Sequence, residues 1–246
     1  MSATNLVFDI ECVGADFDSL DEPVREYLLK RAKTDEEREQ VPGRTALELG
    51  LARVVAIGMY SIERDVSMVL LDAGEPGAQP VRIDGVIVEE LAEVDMLRRF
   101  WELITAGQRR MVSFFGRGYD GPVLMVRSAQ LGVPCGKNLV GYRYSLEHHC
   151  DLADALCFQG STRQFYSLAY WCSAFGIPSP KAEGISGADV ARLHREGRRD
   201  EIARYVLRDV HRTTDLYRAL IPLLSQFNGG PALSDLRERP QLALEV

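Results

Sequence analysis

No stretch of the 246-residue sequence approaches the roughly 18 consecutive apolar residues that a membrane-spanning helix needs, which excludes such a span. The first residues carry no basic segment followed by an apolar one, so no signal peptide is expected and the expected compartment is the cytoplasm. Cysteines number five (Cys12, Cys135, Cys150, Cys157 and Cys172), an odd count without paired spacing. This argues for reduced thiols and against a disulfide framework. No two of them form a C-x-x-C pair, so a structural zinc site is not expected. Positive charge is in deficit, with 29 Lys and Arg against 36 Asp and Glu and a net charge of −7. This argues against a broad basic surface for non-specific nucleic-acid binding, and does not exclude a local basic patch. Internal repeats and low-complexity segments are also missing.

What remains is an ordinary globular composition, 46% hydrophobic and 26% charged, long enough for one well-filled core. Apolar runs predict strands at 5–10, 53–61 and 66–71, with 81–88 a further strand or hairpin arm. Helical periodicity marks 89–106, where Leu91, Val94, Leu97, Phe100, Trp101 and Ile104 share a face. A strand at 110–115 precedes a helix at 119–131, opened by Asp120, Gly121 and Pro122. A short strand at 149–151 and helices at 164–175, 187–196 and 200–224 complete the series. Residues 19–39 read as a helical insertion in a single domain spanning 1–224. Residues 225–246, rich in Gly, Pro and charge, read as a mobile tail and a candidate contact for a protein partner. The predicted class is α/β: a mixed sheet of five to six strands, an antiparallel meander followed by parallel strands, flanked by helices.

The acids carry the chemistry. Asp9 and Glu11 are separated by one residue on a predicted strand, which puts both carboxylates on one face. Such a pair repels itself unless a cation or a proton lies between, and hard oxygen ligands suit Mg²⁺ or Mn²⁺. A solvated edge strand also reads D-x-E. Asp120 suits either an N-cap or a metal ligand. Tyr205 and Asp209, four apart on the last helix, share a face; a packed Tyr beside a solvated Asp fits the same spacing.

Taken together, D-x-E, then Tyr-Asp, then Tyr-x-x-x-Asp resembles the DEDD superfamily of 3′–5′ exonucleases, in its tyrosine branch. The sequence is similar to the predicted 3′–5′ exonucleases related to the exonuclease domain of family-B DNA polymerases. Further motifs that carry the resemblance are Gly116-Arg117-Gly118-Tyr119-Asp120-Gly121-Pro122, His149-Cys150-Asp151-Leu152 and Phe175-Gly176-Ile177-Pro178. The resemblance implies a ribonuclease-H-like fold and hydrolysis by two divalent cations, Mg²⁺ or Mn²⁺. Asp9, Glu11, Asp120 and Asp209 would be the metal ligands, and Tyr205 would orient the attacking water. It also implies a single-stranded nucleic acid 3′ end as substrate, DNA ahead of RNA, with nucleoside 5′-monophosphates released. One departure is Phe115, which stands where the pattern often has Asn.

For substrate contacts, Phe115, Arg117, Tyr119 and Lys181 are the candidates, with Phe114 and Phe165 as further aromatics. Core packing or surface solvation accounts equally for several of these. Arginines at 192, 195, 198, 199, 204, 208 and 212 could follow a backbone, but interleaved acids suit an ion-paired face. His148 and His149 are adjacent on a strand and so face opposite ways, which excludes joint chelation. Asp151 suits either support of the acidic site or a structural role. The alternative to the enzyme is a catalytically weak nucleic-acid-binding protein on the same fold. The oligomeric state is not legible.

Overall fold

A computed structural model describes residues 4–74, 79–107, 109–162, 164–180 and 186–235. In chain order the strands are β1 (Thr4–Gly14), β2 (Ala52–Ser61), β3 (Val66–Asp72), β4 (Val81–Ile83), β5 (Val86–Leu91), β6 (Arg109–Ser113) and β7 (His149–Asp151). The helices are α1 (Glu22–Arg31), α2 (Asp35–Gln40), α3 (Glu93–Thr105), α4 (Asp120–Gln130), α5 (Leu152–Leu156), α6 (Leu168–Ala174), α7 (Gly187–Arg195) and α8 (Arg199–Leu224). One sheet runs β4-β5-β3-β2-β1-β6-β7. Strands β1, β2 and β3 form the antiparallel meander, and β6 and β7 extend it in parallel beyond β1. Among the described residues the sheet thus has seven strands rather than five or six. No helix of the described residues is long and apolar enough to cross a membrane.

Central strands covered on both faces need apolar residues on both, and β1 shows this directly. Leu6, Phe8, Ile10 and Cys12 pack with Met96, Leu97 and Phe100 of α3 and Val123 and Leu124 of α4. On the other face Val7 joins Val210, Leu216 and Leu220 of α8. Helix α8 lies along that face, its Val206 packing with Val55 and Val69 of the neighbouring strands.

Several boundaries differ from expectation for local reasons. Residues 81–91 form a tight hairpin because Asp84 and Gly85 both take positive φ, 49° and 84°, as a two-residue turn between twisted strands requires. That hairpin occupies residues otherwise assigned to the start of α3. Helix α6 begins only at Leu168, where the Ser167 hydroxyl accepts the Tyr170 N–H at 3.3 Å. Helix α5 was not expected; the Asp151 carboxylate caps it by accepting the Ala153 and Asp154 N–H groups. The start of the expected tail packs against the domain. The Leu146 N–H donates to the Asn228 carbonyl at 2.8 Å, Arg110 donates to the Gly229 carbonyl at 2.9 Å, and Phe227 packs on the α8 face. Residues 236–246 lie outside the described residues. Between β1 and β2, the helical insertion is carried by α1 and α2.

Candidate active site

Strand β1 can carry a site because it outruns its neighbour. Pairing with β6 stops at Val7 opposite Val112, whereas β1 stays paired with β2 as far as Gly14. Past Val7, backbone groups on the β6 side become available to other partners. The Ile10 N–H donates to Oδ1 of Asp120 at 3.1 Å, tying the first residue of α4 to β1. Asp9 and Glu11 alternate with Ile10 and so face α8.

Helix α8 approaches this part of the sheet because Gly58 pairs with Asp9 across β1 and β2. A Cβ on Gly58 would lie 3.0 Å from Val206 Cγ2 and 3.1 Å from Val210 Cγ2. Only glycine lets the helix sit so close. Tyr205 and Asp209 each precede one of these valines, which turns them roughly 100° around the helix. Ligand oxygens of Asp9, Glu11 and Asp209 consequently lie within 4.8 Å of one another. Asp120 stands outside this triplet, held by the β1 backbone.

Electrostatics mark the same place. Burial, followed by the charges of Asp120, Glu11 and Asp209, holds the Asp9 carboxyl well above the usual range. Burial, then Asp209 and Asp120, does the same for Glu11. Burial pushes Asp120 up to about 7, against opposing hydrogen bonds from its own N–H and that of Ile10. Tyr205 is raised by burial first and then by Glu11, Asp209 and Asp9, so its hydroxyl keeps its proton. Converging carboxylates of this kind fit a divalent cation. They offer only hard oxygen donors, and their mutual repulsion is what such a cation relieves.

The proposed substrate residues divide. Phe115 is 45% exposed beside Asp120, and its ring lies edge-on to Phe165 with centroids 6.0 Å apart. It sits at a φ of +65°, a region that Asn tolerates better than Phe. Gly118 makes room, since a Cβ there would meet the Phe115 ring at 2.5 Å. Arg117 is buried and donates to the carbonyls of Arg143, Ser145 and His149. These bonds hold the Arg117 guanidinium against the backbone of residues 143–149. Tyr119 is also engaged internally, its hydroxyl donating to the Ala46 carbonyl at 2.6 Å. Phe114 packs in the core. Lys181 lies outside the described residues.

Asp151 takes the structural role. Besides capping α5, it accepts the N–H groups of Phe115 at 2.9 Å and Arg117 at 2.8 Å, so it shapes the turn that leads into Asp120. Burial pushes its carboxyl up to about 6. His149 lies between the Ser113 hydroxyl and the Leu139 carbonyl, and burial lowers its pKa to about 3, leaving it neutral. Most of the α7–α8 arginines have partners. Arg192 pairs with Asp189 and Glu196, Arg198 with Glu196 and Glu201, and Arg212 with Asp215.

Residues 46–228, about three quarters of the chain, match a family described as predicted 3′-5′ exonuclease related to the exonuclease domain of PolB. Asp120, Tyr205 and Asp209 lie within the match, while Asp9 and Glu11 precede it. No protein with a curated description matches the sequence. Among solved structures, the family B DNA polymerase from the hyperthermophilic archaeon Pyrobaculum calidifontis is similar, with a TM-score of 0.56 at 20% identity. The alignment covers 92% of this chain and 25% of the polymerase, so the chain spans about a quarter of that protein's length. The likeness is one of fold: a ribonuclease-H-like mixed sheet flanked by helices.

Proposed function

The chain belongs to the family of predicted 3′-5′ exonucleases related to the exonuclease domain of PolB, and from that premise we propose that it removes nucleotides from the 3′ end of a single strand as nucleoside 5′-monophosphates. DNA is the favoured substrate, because the structural relative is a DNA polymerase. The observation that carries the reading is the convergence of Asp9, Glu11 and Asp209 from two distant elements to within 4.8 Å.

Asp9, Glu11 and Asp209 would hold divalent cations, with Asp120 completing the set. Bound there, Mg²⁺ or Mn²⁺ supplies charge neutralisation at the phosphate and lowers the pKa of the attacking water. Tyr205 keeps its proton, so its hydroxyl orients that water rather than deprotonating it. Asp120 is held at the β1 backbone, which fixes its distance from Asp9. The turn shaped by Asp151 then presents Phe115 beside the acids.

The test is degradation of 5′-labelled single-stranded DNA and its RNA counterpart with Mg²⁺, with Mn²⁺ and with EDTA, beside Asp9→Asn. A ladder shortening from the 3′ end, dependent on metal and on Asp9, is the expected result. Binding without cleavage of either strand would overturn the enzyme reading in favour of a nucleic-acid-binding protein.

A further inference from the structure

Strands β6 and β7 start unevenly at the end of the sheet away from the acids. Arg109 pairs with Thr4 of β1, but β7 begins only at His149, opposite Met111. A cavity of about 420 Å³ opens beside the unmatched start of β6. Its walls include Ile104 and Thr105 from α3, together with Arg109, Lys137, Glu147 and His148. Asp9 and Glu11 lie five and seven residues beyond Thr4 along β1, about 16–23 Å at the rise of a strand. The cavity is therefore distinct from the acidic site.

Two cations share this cavity without a counter-charge. Among the described residues no carboxylate lies within ion-pair distance of Arg109 or Lys137. Burial, then the neighbouring charge of Arg64, holds the Arg109 guanidinium below its ordinary range, and burial does the same to the Lys137 ammonium. The chain is net acidic at −7, and arginines 192, 198 and 212 all have acidic partners. Cations withdrawn from water without a partner carry a desolvation cost that an anion in the cavity would offset.

The opposing groups are weak. Among the described residues Glu147 is the one carboxylate of the lining, and it is exposed. The α3 carbonyls of Trp101, Glu102 and Thr105 already accept hydrogen bonds from Thr105, Ala106 and Gly107. Donors are in surplus. The Lys137 ammonium spends one N–H on the Arg109 carbonyl at 2.7 Å and keeps two more. The Arg109 guanidinium offers a planar fork that suits a phosphate. Small-molecule sites span ~300–1,000 Å³, so the volume holds more than a lone ion, and Ile104 gives it an apolar wall.

We propose that this cavity is a phosphate site, separate from the acids, in which Lys137 and Arg109 hold a phosphate dianion, free or as the monoester of a nucleotide. The site stands without the exonuclease reading; only the choice of a nucleotide as probe rests on it.

The test is an NMR titration of the ¹⁵N-labelled full chain in EDTA with inorganic phosphate, thymidine 5′-monophosphate and thymidine. Both phosphates should shift the amide signals of Gly107, Gly136 and Lys137 and leave those of Asp9 and Asp209 in place. Thymidine should shift neither set. Kd should rise at least tenfold in Lys137→Gln and in Arg109→Gln, as loss of a charged donor implies. It should fall in Glu147→Gln, which removes the opposing charge and keeps the shape, and stay unchanged in Asp9→Asn. Tighter binding of the nucleotide supports the site with a nucleotide as its ligand, and equal binding supports it with the free ion.

No shift with either phosphate at millimolar concentration, an equal response to thymidine, or an unchanged Kd in all three cavity variants would overturn the site. Cleavage by the unmodified chain is scored separately. Phosphate binding here without metal-dependent cleavage sinks the exonuclease reading alone. Cleavage with phosphate shifts confined to Asp9 and Asp209 sinks the phosphate site alone.

Discussion

Gly58→Ala adds one methyl group at the point where α8 touches the sheet. The new carbon would lie 3.0 Å from Val206 Cγ2, 3.1 Å from Val210 Cγ2 and 3.2 Å from Val206 Cγ1. Comfortable carbon contacts begin nearer ~3.5 Å, so the helix must retreat by a few tenths of an ångström. Overpacking of this kind costs about 1–3 kcal/mol. Replacing a strand glycine regains about 0.5–1 kcal/mol, which leaves a net loss near 1 kcal/mol. For a chain of this size that lowers Tm by roughly 2–4 °C. The site should lose more than the fold. Tyr205 and Asp209 ride on the displaced turns, and misplacement by ~1 Å can cost 100-fold in rate. A third of that displacement predicts a loss of about 3–10-fold in metal-dependent hydrolysis. Val206 supplies two of the three close contacts, so Gly58→Ala/Val206→Ala should regain activity while remaining destabilised by the cavity. Rates on a labelled oligonucleotide, with calorimetry on the same samples, decide the matter. Full activity in Gly58→Ala, or no recovery in the double variant, would refute the idea that this contact sets the site.

The remaining predictions address the acids and their supports. In the metal-free protein Asp9, Glu11 and Asp120 titrate above their ordinary range, Asp120 at about 7. The folded state therefore binds more protons than the unfolded one, and stability falls as pH rises from near ~4 through 7. Tm without metal should drop between pH 5 and 8, Asp9→Asn should flatten the trend, and Mg²⁺ at pH 8 should raise Tm only in the unmodified chain; a Tm that climbs with pH contradicts this. Tyr205→Phe removes one hydroxyl bond to a reacting group, worth ~1.5–3 kcal/mol. It should lower kcat roughly 10–100-fold with KM and the metal-induced rise in Tm intact, and equal losses in both would speak for a misfolded site. Arg117→Ala leaves three carbonyls without their donor, at about 1–3 kcal/mol each. Its Tm should fall by roughly 6 °C or more, and loss of oligonucleotide affinity at unchanged Tm would instead make Arg117 a substrate contact.

The acids were legible in the sequence because their meaning is local. Asp9 and Glu11 share a face by the period of a strand, and Tyr205 and Asp209 by the period of a helix. The element order followed from apolar runs in the same way. Other features depended on partners far along the chain. Arg117 sits between two glycines and reads as an exposed turn residue, yet the carbonyls that bury it are 26 to 32 residues away. Asp151 caps its own helix locally, but its role in shaping the Phe115 turn crosses 36 residues. Gly58 lies within an apolar strand run, and only the approach of α8 explains it. The Asp84–Gly85 turn differs, because its signal is local: a D-G pair between apolar arms marks a tight hairpin, and reading 81–88 as one strand or hairpin arm left that signal unused.

Crowded carboxylates also separate scaffold from function. Arg117 and Asp151 lower the energy of the fold by satisfying buried backbone groups. Asp9, Glu11 and Asp120 do the reverse, because burial and mutual repulsion oppose their charges. A chain can keep such a site only if the elements carrying it are anchored elsewhere. Here β1 lies between β2 and β6 with apolar packing on both faces. Helix α8 is anchored along 26 residues, with Val206, Val210, Leu216, Leu220 and Leu224 buried. The repulsion is therefore borne by the most heavily packed elements of the molecule. Scaffold alone does not explain why acids stand at a position where apolar residues would pack better; the proposed cation at Asp9, Glu11 and Asp209 would.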